Sequence, residues 1–97
     1  MKLDEAQRIA TPKIREYLDQ RPDVWGALRG REVFMFDRDG KTWTVIVGIF
    51  PKEAMKRATL KDGWIDRPED RAREWLRAHV SEDGAVEICE VVDWRTL

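Results

Sequence analysis

The sequence predicts an α+β fold, and three observations carry that expectation. From Leu3 to Leu18 apolar side chains recur at Leu3, Ala6, Ala10, Ile14, Tyr17 and Leu18, the three-and-four spacing of one helical face. Glu32 to Asp37 and Thr42 to Phe50 are rich in β-branched and aromatic residues, and Asp37-Arg38-Asp39-Gly40 between them is a tight-turn sequence with glycine at the positive-φ position. Near the C-terminal end, Glu82-Asp83-Gly84 turns the chain into a further strand from Ala85 to Asp93. The expected order is therefore N-terminal helices, a β-hairpin, one or two helices, and a third strand completing a small mixed or antiparallel sheet.

Each element has its own signals. Thr11-Pro12 falls inside the N-terminal stripe, and a restart is the favoured reading, with Thr11 as N-cap and Pro12 at the first position of a second helix. Arg21-Pro22-Asp23 interrupts the pattern again, after which Val24, Trp25 and Leu28 form a short helical turn closed by Gly30. Both hairpin strands are apolar on both faces: Val33 and Met35 oppose Phe34 and Phe36, while Trp43, Val45, Val47 and Ile49 oppose Ile46 and Phe50. A sheet with one wet face would alternate apolar with polar, so layers are expected on both sides, either helices or a partner subunit. Pro51 to Thr59 reads as a short helix carrying Ala54, Met55 and Ala58 on one side. A longer helix is expected from Asp66 to about Val80: Asp66 and Glu69 form a capping box, and Ala72, Trp75, Leu76, His79 and Val80 make its stripe. The last helix is expected to cover one sheet face and the thinner N-terminal helix the other, leaving apolar surface over for self-association as a two-fold dimer.

Composition bounds what such a chain does. Its 97 residues, taken as the single domain 1–97, are 42% hydrophobic and 38% charged, which leaves enough apolar surface for one core. Lys and Arg together number 18 against 19 Asp and Glu, so no global cationic field exists to hold a nucleic acid or an anionic membrane. No stretch approaches the ~18 to 20 apolar residues of a membrane span, and Met1 to Ala10 carries Lys2, Asp4, Glu5 and Arg8 where a signal peptide needs an apolar run. A cytoplasmic location is expected. One cysteine, Cys89, excludes an intramolecular disulfide and a thiolate metal cluster.

The motifs of enzyme chemistry are missing. Asp37-Arg38-Asp39-Gly40 opens like a calcium loop, but glycine is fourth instead of sixth, and Gly48 stands where a bidentate Glu is required. His79 and Cys89, the only histidine and the only cysteine, read as packing residues, on the buried stripe of a helix and in mid-strand. They supply at most two of the four ligands zinc wants. No Gly-x-Gly occurs, and Gly26 and Gly30 have no following Lys-Ser/Thr, so phosphate binding of the P-loop kind is unsupported. No cofactor is expected and no catalytic residue is nominated.

Two features point to binding. Charge is uneven: residues 51 to 77 hold eight basic and six acidic groups, and beyond them only Arg95 stands against Glu82, Asp83, Glu87, Glu90 and Asp93. Lys52, Lys56, Arg57 and Lys61 recur at helical spacing with Trp64 close behind, a set suited to phosphate contacts and base stacking. Glu53, Glu69 and Glu74 interleave with it, as on an ordinary solvated helix face. Of the five tryptophans, Trp43 and Trp75 fit core positions and Trp94 the end of the last strand, while Trp25 and Trp64 fall in irregular segments, where an exposed aromatic would mark a recognition surface. The run Arg31 to Ala58, a hairpin ending in Ile49-Phe50-Pro51-Lys52 and then a basic helix, resembles the C-terminal part of small ribosome-dependent ribonuclease toxins of toxin–antitoxin pairs. That resemblance implies an RNA-cleaving activity, but those proteins are usually strongly basic and this chain is net acidic, and no site residue is carried over. The favoured expectation is a binding or regulatory domain acting through protein contacts. A nucleic-acid binder using Lys52 to Lys61 and a ribonuclease are its rivals.

Overall fold

A computed structural model describes residues 1–55 and 70–97. It shows an α+β fold in which two N-terminal helices precede a four-stranded antiparallel sheet of order β1-β2-β3-β4. Helix α1, Leu3–Asp19, runs without a break, so the expected restart at Thr11-Pro12 does not occur. The reason is packing. Ala6, Ala10, Ile14 and Leu18 recur every four residues along the buried side, and Pro12 lies on the opposite, exposed side. Proline withholds one helical hydrogen bond there, and the buried row holds both halves of the helix on one line. Helix α2, Pro22–Leu28, starts on its proline and buries Val24 and Leu28. Gly30 follows it at φ +90°, a conformation that closes a helix at low cost only for glycine.

Strands β1, Glu32–Asp39, and β2, Thr42–Ile49, form the expected hairpin. The strands run further into the turn than expected, because Asp39 pairs with Thr42 and leaves only Gly40 and Lys41 as the loop. Gly40 has φ +61° and occupies the first central position, where a II′ hairpin turn needs glycine.

The helix expected from Asp66 to about Val80 is overturned where it is described, and its expected capping box, Asp66 and Glu69, lies outside the described residues. Residues 73–80 are strand β3, Arg73–Val80, which pairs with β2 on one side and with β4, Val86–Glu90, on the other. From Leu76 onward the sequence fits both periods: Leu76, Ala78 and Val80 are buried, Arg77 is half-buried and His79 exposed, a strict alternation. The hairpin decides between them, since Val45 and Val47 of β2 need apolar neighbours in the plane of the sheet and Ala78 and Leu76 supply them. Helix-forming Arg, Glu, Leu and Ala yield to that pairing. The register shifts between Val47 and Gly48, which makes Trp75 the extra residue of a bulge. Trp75 is fully buried, and its carbonyl accepts from the Val91 amide at 2.8 Å. Residues 52–55 are helical, in line with the short helix expected from Pro51 to Thr59, and positions 56–59 of that expectation lie outside the described residues.

The core lies between the helices and one face of the sheet. Ala6, Ala10, Ile14 and Leu18 meet Val45, Val47, Ile49, Leu76, Ala78 and Val80, with Trp43 and Trp75 as the large members. Phe34 and Phe36 of β1 pack at its margin, half-buried. The other face, expected to lie under a second helical layer, bears Val33, Met35, Thr44, Ile46, Gly48, Arg77 and His79. Gly48 is closed over from that side, since a Cβ there would stand 3.0 Å from the Ala72 Cβ and 3.5 Å from the Met35 terminal methyl. Met35 itself remains 43% exposed.

One charged side chain ties the ends of the fold together. Arg31, 9% exposed, donates through Nε to the Phe50 carbonyl at 2.7 Å and through Nη2 to the Leu97 carbonyl at 2.6 Å. Its backbone oxygen also accepts from the Phe50 amide at 2.9 Å. The α2–β1 junction, the end of β2 and the final 3₁₀ turn, Trp94–Thr96, thus meet on one guanidinium.

Candidate functional site

Among the described residues, one concave feature follows from the order of the elements. Helix α1 lies over the far strands of the sheet, where it touches β3 and β4, and leaves the helix side of β1 only partly covered. A cleft of about 490 Å³ opens there, between the last turn of α1, α2 and β1. Leu18, Trp25 and Phe34 supply its apolar surface, and Arg15, Arg29, Asp19 and Glu32 stand at its rim, two charges of each sign. The Gly30 amide donates to Glu32 Oε2 at 2.7 Å, which pins that carboxylate to the α2–β1 junction. A half-buried tryptophan beside a half-buried phenylalanine, ringed by balanced charge, suits an apolar side chain with polar neighbours.

The cleft borders the outer edge of β1. Among the described residues no strand pairs with that edge. Between Glu32 and Asp37 it reads Val33-Phe34-Met35-Phe36, an apolar run with no lysine, proline or bulge to discourage another strand. The opposite edge is guarded: β4 is five residues long, carries Glu87 and Glu90, and is held by the Arg21–Glu90 ion pair. Arg21 is itself steadied by the Tyr17 hydroxyl at 3.2 Å, so β4 is fastened to the end of α1.

The residues proposed from sequence separate. Trp25 is half-buried in the cleft. Lys52 is exposed and lines a different groove, of about 340 Å³, together with Trp94 and Arg95, whose guanidinium sits 5.9 Å from the Trp94 ring. Lys56, Arg57, Lys61 and Trp64 lie outside the described residues. His79 and Cys89, expected to be buried packing residues, are both exposed. The reason is the strand that replaced the helix: His79 alternates onto the open face with its Nδ1 3.5 Å from Thr44 Oγ1, and Cys89 pairs with Arg77 on that same face. Phe34, Arg15 and Arg29 were not singled out, because only the packing of α2 against the end of α1 brings them to one place.

No group of three His, Cys, Asp or Glu among the described residues could hold a metal ion, and no helix there is long and apolar enough to cross a membrane. Comparison with protein-family profiles, curated proteins and solved structures finds no match.

Proposed function

We propose that this chain is a small binding domain acting through protein contacts, and that it takes an extended segment of its partner along the outer edge of β1. The observation that carries this reading is the unpaired edge Val33-Phe34-Met35-Phe36 beside the Trp25–Phe34 cleft. An extended segment added to a sheet edge satisfies the free backbone groups, and alternate side chains of that segment fall on each face. Those on the helix side would enter the cleft against Trp25 and Phe34. Those on the other side would cover Met35.

The test compares proteins captured from host extract by the unaltered chain with those captured by Met35→Lys and by Trp25→Ala. Met35 is 43% exposed and lies outside the core, so a lysine there guards the edge without disturbing the core. A partner retained by the unaltered chain and lost from both variants is the expected result; the same partners retained by all three would retire the reading. One observation favours a second reading, since the groove around Lys52 and Arg95 sets basic groups beside Trp94 and would suit phosphate contacts with base stacking. A fluorescent single-stranded RNA separates the two: binding lost on Lys52→Glu and weakening steeply as salt rises would support the nucleic-acid reading.

A further inference from the structure

We infer that the segment accepted by the β1 edge is the β1 edge of a second copy of this chain. The inference rests on the strand-addition reading above and names its partner. An antiparallel pair related by a two-fold axis must match each residue with one of the same parity, and centring the axis on Met35 gives a self-complementary register. Phe34 then faces the partner's Phe36, Val33 faces the partner's Asp37, and Glu32 faces the partner's Arg38, each pair occurring twice.

The faces agree with this register. Glu32 and Phe34 line the cleft on the helix side of the sheet, and Arg38 is on that side too, with its guanidinium 5.8 Å from the Trp43 ring. The pairing therefore brings opposite charges together on the helix side, flanking two aromatic pairs, and places the two Met35 side chains against each other on the open side. Neighbouring registers lose this match. Centred on Phe34, Glu32 meets the partner's Phe36; centred on Phe36, the partner's Arg38 meets Phe34. The two-fold axis stands perpendicular to the sheet, so both helical layers lie on one face of a continuous eight-stranded sheet. Self-pairing would also bury the apolar run Val33 to Phe36 and match the edge's own Glu32 with Arg38, whereas β4 carries only acidic charges, which a second copy of β4 would repel.

The test is a charge exchange read by light scattering at micromolar concentration. The unaltered chain should run at twice 11.4 kDa. Glu32→Arg alone sets arginine against Arg38, and Arg38→Glu alone sets glutamate against Glu32, so each should weaken the dimer by about tenfold or more. An equal mixture of the two restores opposite charges at both positions and should return the mass to the dimer. A mass of 11.4 kDa for the unaltered chain at every concentration overturns the proposal, as does a dimer indifferent to the single changes or singles that their mixture does not rescue. Should either charge variant lose its circular dichroism spectrum, Met35→Lys serves instead: it should be folded and monomeric, and a folded Met35→Lys dimer overturns the proposal. A monomeric unaltered chain whose captured partners are still lost in Met35→Lys overturns self-pairing alone; capture unaffected by Met35→Lys overturns the strand-addition reading beneath it.

Discussion

Trp75→Ala is expected to remove about 3 to 5 kcal/mol of stability, the range for truncating a buried aromatic side chain. Trp75 is the largest of the fully buried side chains among the described residues, and it occupies the position where β3 carries an extra residue against β2. Truncation would leave a void among α1, β2 and β3 that the paired strands on either side could not close. A second substitution refines the test. The Trp75 indole Nε1 is buried with no hydrogen-bond partner, and an unpaired buried donor costs about 1 to 3 kcal/mol. Trp75→Phe deletes that donor along with part of the volume, so it should cost well under half as much as Trp75→Ala. Urea denaturation of the three proteins measures both differences. A loss below 1 kcal/mol for Trp75→Ala would mean that this residue is not in the core and that the bulge is misplaced.

Arg31→Met is expected to cost about 2 to 4 kcal/mol, since hydrogen bonds from a charged donor contribute about 1.5 to 3 kcal/mol each and both are lost together. Methionine matches much of the aliphatic length but leaves the Phe50 and Leu97 carbonyls without the guanidinium they share. The loss should appear locally as well. Amides of the final turn, Trp94–Thr96, should exchange faster in Arg31→Met, because the bond that fastens Leu97 to Arg31 is lost while Arg73 Nη1 still holds the Thr96 carbonyl at 3.0 Å. Arg31→Lys should recover only part of the stability, as one ammonium cannot reproduce the fork that reaches both carbonyls. Equal stability of Arg31→Met and the unaltered chain would show that the end of the chain is not fastened through this residue.

How far the fold could be read from sequence depended on whether local and long-range signals agreed. In the hairpin they agreed: β-branched strands, a glycine turn and two-sided apolar character all belong to β1 and β2. The N-terminal stripe includes all four residues that α1 buries, Ala6, Ala10, Ile14 and Leu18, while Leu3 stays exposed and Tyr17 half-buried, and a proline on the outer side of a packed helix does not end it. The stretch from Arg73 to Val80 was misread because Leu76, Ala78 and Val80 satisfy a period of two while Trp75, Leu76, His79 and Val80 satisfy a helical stripe. Helix propensity and an apparent capping box favoured the helix. What decided for the strand was the demand of β2 for a second neighbour, and that demand is not local to residues 73–80.

The candidate site was legible only in fragments, for the same reason. Trp25 stands out in the sequence as an aromatic between breaks in the pattern, but it lies on α2, and nothing in the sequence places it beside Phe34. The edge position of β1 is a property of strand order, and it became visible only once β3 and β4 occupied the other side of β2. An apolar strand reads alike at the centre of a sheet and at its edge. The apolar run Val33 to Phe36 carries meaning as an edge only after the sheet has been assembled.

Amide hydrogen exchange along β1, followed as a function of protein concentration, tests the use of this edge most directly. Backbone amides in a strand alternate between the inner and outer side, so those from Val33 to Asp37 that face away from β2 have no strand partner among the described residues. As concentration rises into the micromolar range, those alternate amides should become protected, with the β4 amides of Val86–Glu90 unchanged. Outer β1 amides that exchange rapidly at every concentration, or protection that rises on β4 instead, would contradict the account.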